Sequence, residues 1–188
     1  IQRPYKSRFA RTRCRHSNAI NVNLGYDFVT DMLVLEFAID RTQVETKRVD
    51  NPWLSRAAQS LAEALRLSAS KVLDIEFTEL VTGYRLRESA RMAYVDVYLY
   101  DSLSSGAGYA ISVSNVIESL LSQTESLLAG CDCEDACYKC LKHYRNQYVH
   151  GLLDRHAALD LLRWGKTGER AKKLSFKTQE KLLNPLTI

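Results

Sequence analysis

Cys131-Asp132-Cys133-Glu134-Asp135-Ala136-Cys137-Tyr138-Lys139-Cys140 places four of the chain's five cysteines within ten residues. Cys131 and Cys133 are too close in sequence to bridge without strain. Nothing in the sequence suggests secretion, so a disulfide framework fits poorly and a reducing, cytoplasmic setting is expected. Clustered sulfurs in a cysteine-poor chain point to metal. Four thiolates satisfy tetrahedral Zn²⁺, and the spacing Cys-x-Cys-x3-Cys-x2-Cys closes all four positions, which makes the ion structural rather than catalytic. Cys131, Cys133, Cys137 and Cys140 are therefore the expected ligands. An iron–sulfur cluster is the rival, since four cysteines also hold one. Lys139, Lys142, His143 and Arg145 follow closely and can offset the charge of about −2 that Zn²⁺ and four thiolates leave. Cys14 and His16 lie far away and do not make a second site by themselves.

Upstream of the cysteines, Val113, Val116, Ile117, Leu120, Leu121, Leu127 and Leu128 trace one helix face, ended by Gly130. Before it comes a Ser/Gly turn, Ser104–Gly108, and a strand over 93–100 with Val95, Val97 and Leu99 on one face. Tyr94, Asp96, Tyr98 and Tyr100 occupy its other face. Asp74–Val81 reads as a strand ended by a turn at Thr82-Gly83. Asn51-Pro52 opens a helix carrying Leu54, Ala57, Ala58, Leu61 and Leu65. Asp31–Asp40 alternates with period two, and its second face is also mostly apolar, so a central strand is expected. Gln43–Val49 reads as a short return strand. Downstream, Asp154 caps a last helix with Ala157, Ala158, Leu161 and Leu162. The order strand, helix, two strands, helix, metal loop, helix predicts an α+β (mixed α/β) layer fold with a small mixed sheet.

The 188 residues suggest one domain plus tails. Residues 1–25 read as a basic arm or linker, 26–164 as the zinc-binding domain, and 165–188 as a basic tail. The net charge of +4 is uneven: residues 1–16 carry +6, residues 163–188 carry +5, and the body between them carries −7. Basic ends can contact phosphates through counterion release, though they also serve as plain solvated tails. Candidate nucleic-acid contacts are Arg11, Arg13, Arg15, Lys172 and Lys173 in the ends, with Lys139, Lys142 and Arg145 by the cysteines. No window approaches 18 consecutive apolar residues, so a membrane span is not expected. The first residue is Ile1, not Met, which suggests a piece of something longer.

Val97-Tyr98-Leu99-Tyr100-Asp101, then Gly106-Ala107-Gly108-Tyr109, the four cysteines, and the stretch from Asn146 through Asp154-Arg155-His156-Ala157 resemble the MrfA-type zinc-binding domain. The resemblance is specific from about Val95 to Leu162 and vaguer at Thr30-Asp31-Met32-Leu33. That domain follows the motor of certain bacterial superfamily 2 helicases and occurs in anti-phage systems such as DISARM and Druantia. The resemblance implies a four-cysteine zinc site, a helicase motor as partner in cis or in trans, DNA, and a role in repair or phage defence. The family's turn usually carries Gly-Gly where this chain has Ser105-Gly106, which weakens any claim of an unusual backbone geometry at Ser105.

Other constellations read more plainly. Gly106-x-Gly108 could cradle an anion with its amides, but it lacks a nucleotide loop's spacing and lysine, so tight strand–helix packing is expected. No ATPase motif is present, and the chain is expected to be non-catalytic. Asp31 with Glu45-x-Lys47 is the minimum of an Mg²⁺-dependent nuclease, although solvated surface residues explain it as well. Glu36 and Asp96 interrupt apolar faces and need partners, for which Arg56 and Arg91 are candidates. The tyrosines of strand 93–100 are expected to pack under a helix. A protein–protein scaffold without nucleic-acid contact is the alternative function, favoured by the acidic body.

Overall fold

Three strands pair antiparallel in the order β1-β3-β2, where β1 is Met32–Asp40, β2 is Leu80–Glu88 and β3 is Met92–Asp101. The computed structural model describes residues 25, 27–40 and 52–169. Among the described residues the sheet is thus antiparallel rather than mixed, and β3 is its middle strand. β1, expected to be central, is an edge among the described residues. Its second apolar face is not covered there: Met32 and Val34 are about half exposed. The return strand expected at Gln43–Val49 lies outside the described residues.

Helix α1, Pro52–Leu73, lies at the centre of the molecule. Leu54, Leu61 and Leu65 are fully buried, and so are Ala57, Ala58, Ala62, Ala64 and Ala69. A helix buried on most of its circumference needs small residues wherever neighbours come close. α1 packs against β2 and β3 on one side, and against α3 (Ile117–Ala129) and α4 (Arg155–Thr167) on the other. The inward face of β3, Val95, Val97 and Leu99, closes the core.

Sequence periodicity misplaced β2. Phe77–Glu79 is a 3-10 turn, and the strand starts at Leu80. Phe77 packs against His143 with tilted rings, centroids 5.0 Å apart, instead of alternating in a sheet. Thr82-Gly83 is mid-strand, not a turn. Gly83 opposes Tyr98, and a Cβ there would lie 2.6 Å from the Tyr98 hydroxyl, so the glycine makes room for the ring. The single helix expected before Gly130 is broken. α2 (Tyr109–Asn115) stops at Val116, whose φ of −121° and ψ of 33° leave the helical region, and α3 begins at Ile117.

Asp96 is buried on the outer face of β3, and its carboxylate is held by Arg85 and Arg87 of β2 rather than by Arg56 or Arg91. Arg85 donates from Nε at 3.1 Å and Nη2 at 2.9 Å, and Arg87 donates from Nε at 2.7 Å. Glu36 of β1 stands directly opposite Asp96, and Arg87 bridges both carboxylates across three strands. The Arg87 hydrogen bonds hold the Asp96 carboxyl below the usual carboxylate range, outweighing burial. Arg56 instead meets Asp154, and Arg91 meets Asp40.

The turn after β3 departs from expectation at Ser105, which has φ +77°. Its amide donates to the Val29 carbonyl at 2.7 Å, which fixes a left-handed conformation despite the side chain. Next to it, Gly106 has φ +74°, a left-handed conformation that favours glycine, and a Cβ there would also crowd the Asp31 carboxylate. No described helix is long and apolar enough to cross a membrane.

Candidate metal centre

Four sulfur atoms, from Cys131, Cys133, Cys137 and Cys140, lie within 4.8 Å of one another. Sγ of Cys131 is 3.5 Å from those of Cys133 and Cys137, and Sγ of Cys140 is 3.7 Å from that of Cys133 and 3.9 Å from that of Cys137. Sulfurs about 2.3 Å from one tetrahedral ion stand roughly 3.8 Å apart. The donor set therefore fits a four-coordinate, thiolate-preferring ion such as Zn²⁺, and it leaves no vertex for water.

The backbone builds this arrangement locally. The Cys137 carbonyl accepts from the amides of Cys140 (3.1 Å), Leu141 (3.1 Å) and Lys142 (2.9 Å), which curls the second cysteine pair into a tight turn. The Cys137 amide donates to Sγ of Cys140 at 3.2 Å, and the Lys139 amide donates to Sγ of Cys137 at 3.4 Å. Cys140 is buried, and the next residue, Leu141, is fully buried, so the turn is nailed to the core. The Lys139 amide holds the metal-free Cys137 thiol down to about 7, while burial pushes the Cys133 thiol up to about 12. Burial likewise raises Cys140. A bound cation displaces these protons, so metal affinity falls as pH falls.

Sequence reasoning missed the group that clamps the loop. Arg155, at the start of α4, is buried. It donates from Nε to the Cys133 carbonyl at 2.9 Å and from Nη1 to the Leu128 carbonyl at 3.1 Å, and its amide donates to the Asp135 carbonyl at 2.8 Å. The end of α3, the cysteine loop and the start of α4 thus share one guanidinium. α4 is itself fixed to α1. The Asp154 carboxylate accepts the amides of His156 and Ala157, as expected of a cap, and the Asp154 amide donates to Ser60 Oγ at 2.8 Å.

His143 turns away from the sulfurs. Its Nε2 lies 3.1 Å from Glu63 Oε2 and 2.9 Å from Arg66 Nη2, both on α1. Asn146, also unanticipated, is buried and donates to the Leu141 carbonyl at 2.9 Å, while its Oδ1 accepts from the His143 amide. Its signal was its place just past a metal-binding cluster, where a polar group is needed to satisfy the chain leaving the core. Lys139 and Arg145 are exposed and Lys142 is half-buried. Arg11, Arg13, Arg15, Lys172, Lys173, Cys14, Glu45 and Lys47 lie outside the described residues.

The Gly106-x-Gly108 turn has an internal anion. Asp101 is fully buried, and its carboxylate accepts the amides of Ala107, Tyr109 and Ala110. These are the amides an external phosphate would have used, so the turn serves strand–helix packing.

The family model for the MrfA Zn-binding domain matches residues 61–141. This chain carries an MrfA Zn-binding domain. The matched segment starts within α1 and ends just past Cys140, so it includes all four clustered cysteines but not Arg155. The chain is also similar to the Druantia protein DruE of Escherichia coli (strain UMEA 4076-1), with 37% identity over 153 residues. That alignment covers 78% of this chain and 8% of the relative, so the chain spans about one twelfth of that protein's length. Among solved structures, the DUF1998 helicase MrfA bound to DNA aligns at a TM-score of 0.48 and 16% identity, covering 62% of this chain and 15% of that one. The same helicase bound to DNA and AMPPNP aligns at 0.43 and 13%, covering 68% and 15%. The described chain is α+β, with its four-cysteine loop set just before the last described helix.

Proposed function

We propose that this chain is a zinc-stabilised accessory domain of a superfamily 2 helicase-like protein, which helps that protein engage DNA or seat its motor in DNA repair or phage defence. Cys131, Cys133, Cys137 and Cys140 are its zinc ligands. The observation that carries the reading is the closed four-sulfur cluster anchored in the core by Cys140 and Leu141. The ion supplies folding free energy to a polar loop that has little apolar anchorage of its own. Four sulfurs fill a tetrahedral ion, so the domain positions other parts rather than catalysing. The match to the MrfA Zn-binding domain supports a helicase as partner, in cis or in trans. Lys139, Lys142 and Arg145 are the proposed DNA contacts beside the metal loop, joined by Arg11, Arg13, Arg15, Lys172 and Lys173.

The test is fluorescence anisotropy of the 188-residue chain with short single- and double-stranded DNA at low salt, followed by a salt titration. Binding that weakens steeply with salt is expected. Absence of binding, combined with retention of a helicase motor at high salt in a pull-down, overturns DNA engagement and leaves docking. The exposed acidic residues at the loop tip, Asp132, Glu134 and Asp135, favour that second reading, since they offer a basic partner surface a counterpart.

A further inference from the structure

Eight tyrosines lie among the described residues, and they divide sharply by exposure. Tyr84, Tyr94, Tyr98, Tyr100 and Tyr109 are half-buried. Tyr138, Tyr144 and Tyr148 are 74%, 80% and 82% exposed. These three fall within eleven residues, beginning inside the cysteine loop and running through the 3-10 segment Tyr144–Leu152. Scattered apolar side chains on a surface need no explanation, but three nearly bare aromatic rings in one short stretch do.

The rings are held outward by what points inward. Cys140, Leu141 and Asn146 are buried, which fixes the backbone between and beside the tyrosines. The Tyr138 ring meets His150 edge-on, with centroids 5.6 Å apart and planes at 86°. His150 Nε2 in turn donates to Asn146 Oδ1 at 2.9 Å. With 74% of its surface exposed, Tyr138 keeps most of its ring open to another partner. Residues 138–153 contain Lys139, Lys142 and Arg145 and no acid. An open cleft of about 700 Å³ beside the cysteine loop includes Tyr138 and Lys139 in its lining, with Leu127, Gly130 and Asp132.

We propose that Tyr138, Tyr144 and Tyr148 form a stacking strip for the unpaired bases of single-stranded DNA, with Lys139, Lys142 and Arg145 following the phosphates. This deepens the DNA-engagement reading and rests on it. Alternating exposed rings and bases suit a single strand, because every base offers a π-face once unstacked, whereas a duplex hides those faces. Charge complementarity selects a polyanion over an apolar peptide. The tyrosine hydroxyls are not needed for stacking, so phenylalanine serves equally.

The experiment compares the 188-residue chain with its Y138A, Y144A and Y148A variants and the matching phenylalanine variants. Each is titrated into a fluorescein-labelled fifteen-nucleotide oligo(dT) and into a duplex of equal length, with zinc content and melting temperature as controls on folding. Each alanine variant is expected to bind the single strand at least about five-fold more weakly, while the phenylalanine variants match the parent and duplex binding is little changed. K139A, K142A and R145A are each expected to flatten the salt dependence by about 0.7 for every phosphate no longer neutralised. If the alanine variants bind oligo(dT) like the parent while the lysine and arginine variants weaken, the strip is overturned and DNA engagement stands. If the parent binds no DNA at low salt, both fail. Capture of a protein partner through these tyrosines, without DNA affinity, also overturns the proposal.

Discussion

The Arg155 guanidinium donates to the Cys133 carbonyl oxygen at 2.9 Å from a buried position, joining the first turn of α4 to the middle of the cysteine loop. Its second arm reaches the Leu128 carbonyl, so one side chain ties three segments. A buried cation beside four thiolates also offsets their charge. Arg155→Ala is expected to lower zinc affinity about 10- to 100-fold and stability by about 1–3 kcal/mol for each carbonyl left unsatisfied. Competition with a chromogenic chelator measures the first effect and urea denaturation the second. Arg155→Lys keeps the charge but not the fork, and it should recover only part of either.

Loss of the metal should be felt well beyond the loop. The purified chain is expected to be colourless, with one zinc per chain by elemental analysis, and a brown protein absorbing in the visible would replace zinc with an iron–sulfur cluster. Chelation, or Cys140→Ser, is expected to abolish cooperative unfolding of the part that includes Leu141 and α4, followed by near-ultraviolet circular dichroism. Retention of a single sharp transition after full zinc removal would contradict this.

Asp101→Ala strands three amides at the start of α2. The expected cost is about 2–4 kcal/mol, from unmet donors at roughly 1–3 kcal/mol each with partial rehydration. Asp101→Asn keeps an acceptor and should cost less than half of that. Chemical denaturation of the two variants side by side checks the order.

Asp96 sets a pH dependence. Its folded-state carboxyl lies below the ordinary value, chiefly through the Arg87 hydrogen bond. Its contribution is therefore complete above the unfolded carboxylate pKa of about 4 and is lost as pH falls through the lower folded value. Zinc loss also destabilises the chain in acid, so the informative quantity is the difference from Asp96→Asn. The gap in melting temperature between parent and variant should be widest near neutrality and narrow below about pH 4. A gap constant with pH would refute the assignment.

Ser105→Gly is expected to stabilise the protein, because Ser105 sits at φ +77° while glycine takes left-handed geometry without penalty. The expected gain is about 0.5–1 kcal/mol, since the αL cost of a side chain is partly offset by the added entropy of a glycine in the unfolded chain. A melting temperature unchanged or lowered would mean the serine side chain contributes something that the conformation alone does not reveal.

What was legible in the sequence was what short-range periodicity and spacing encode. The cysteine cluster, β3, the capped start of α4 and the α+β class follow from residues adjacent in the chain. What was not legible depended on distant partners. The strand status of Gly83 rests on Tyr98 lying across it, and the 3-10 turn at Phe77 rests on His143, more than sixty positions away. The break at Val116 lies within an unbroken apolar pattern. Arg155 had no role assigned from sequence, because only the folded chain brings it to the carbonyls of Cys133 and Leu128. The left-handed Ser105 was hidden for the opposite reason, since a backbone bond to Val29 overrides the local preference that the side chain suggests.

The register of β1 against β3 has a consequence for the nascent chain. Met32 pairs with Tyr100, and Asp40 pairs with Met92. At ordinary synthesis rates the partner of Met32 is made roughly 3–14 s after Met32 itself. Throughout that wait, Met32-Leu33-Val34-Leu35 and Phe37-Ala38-Ile39 are an aggregation-prone apolar run without its native neighbour. Glu36 splits the run in two. The carboxylate that later meets Arg87 thus acts first as a gatekeeper at the ribosome exit, keeping an unpaired edge from finding another chain.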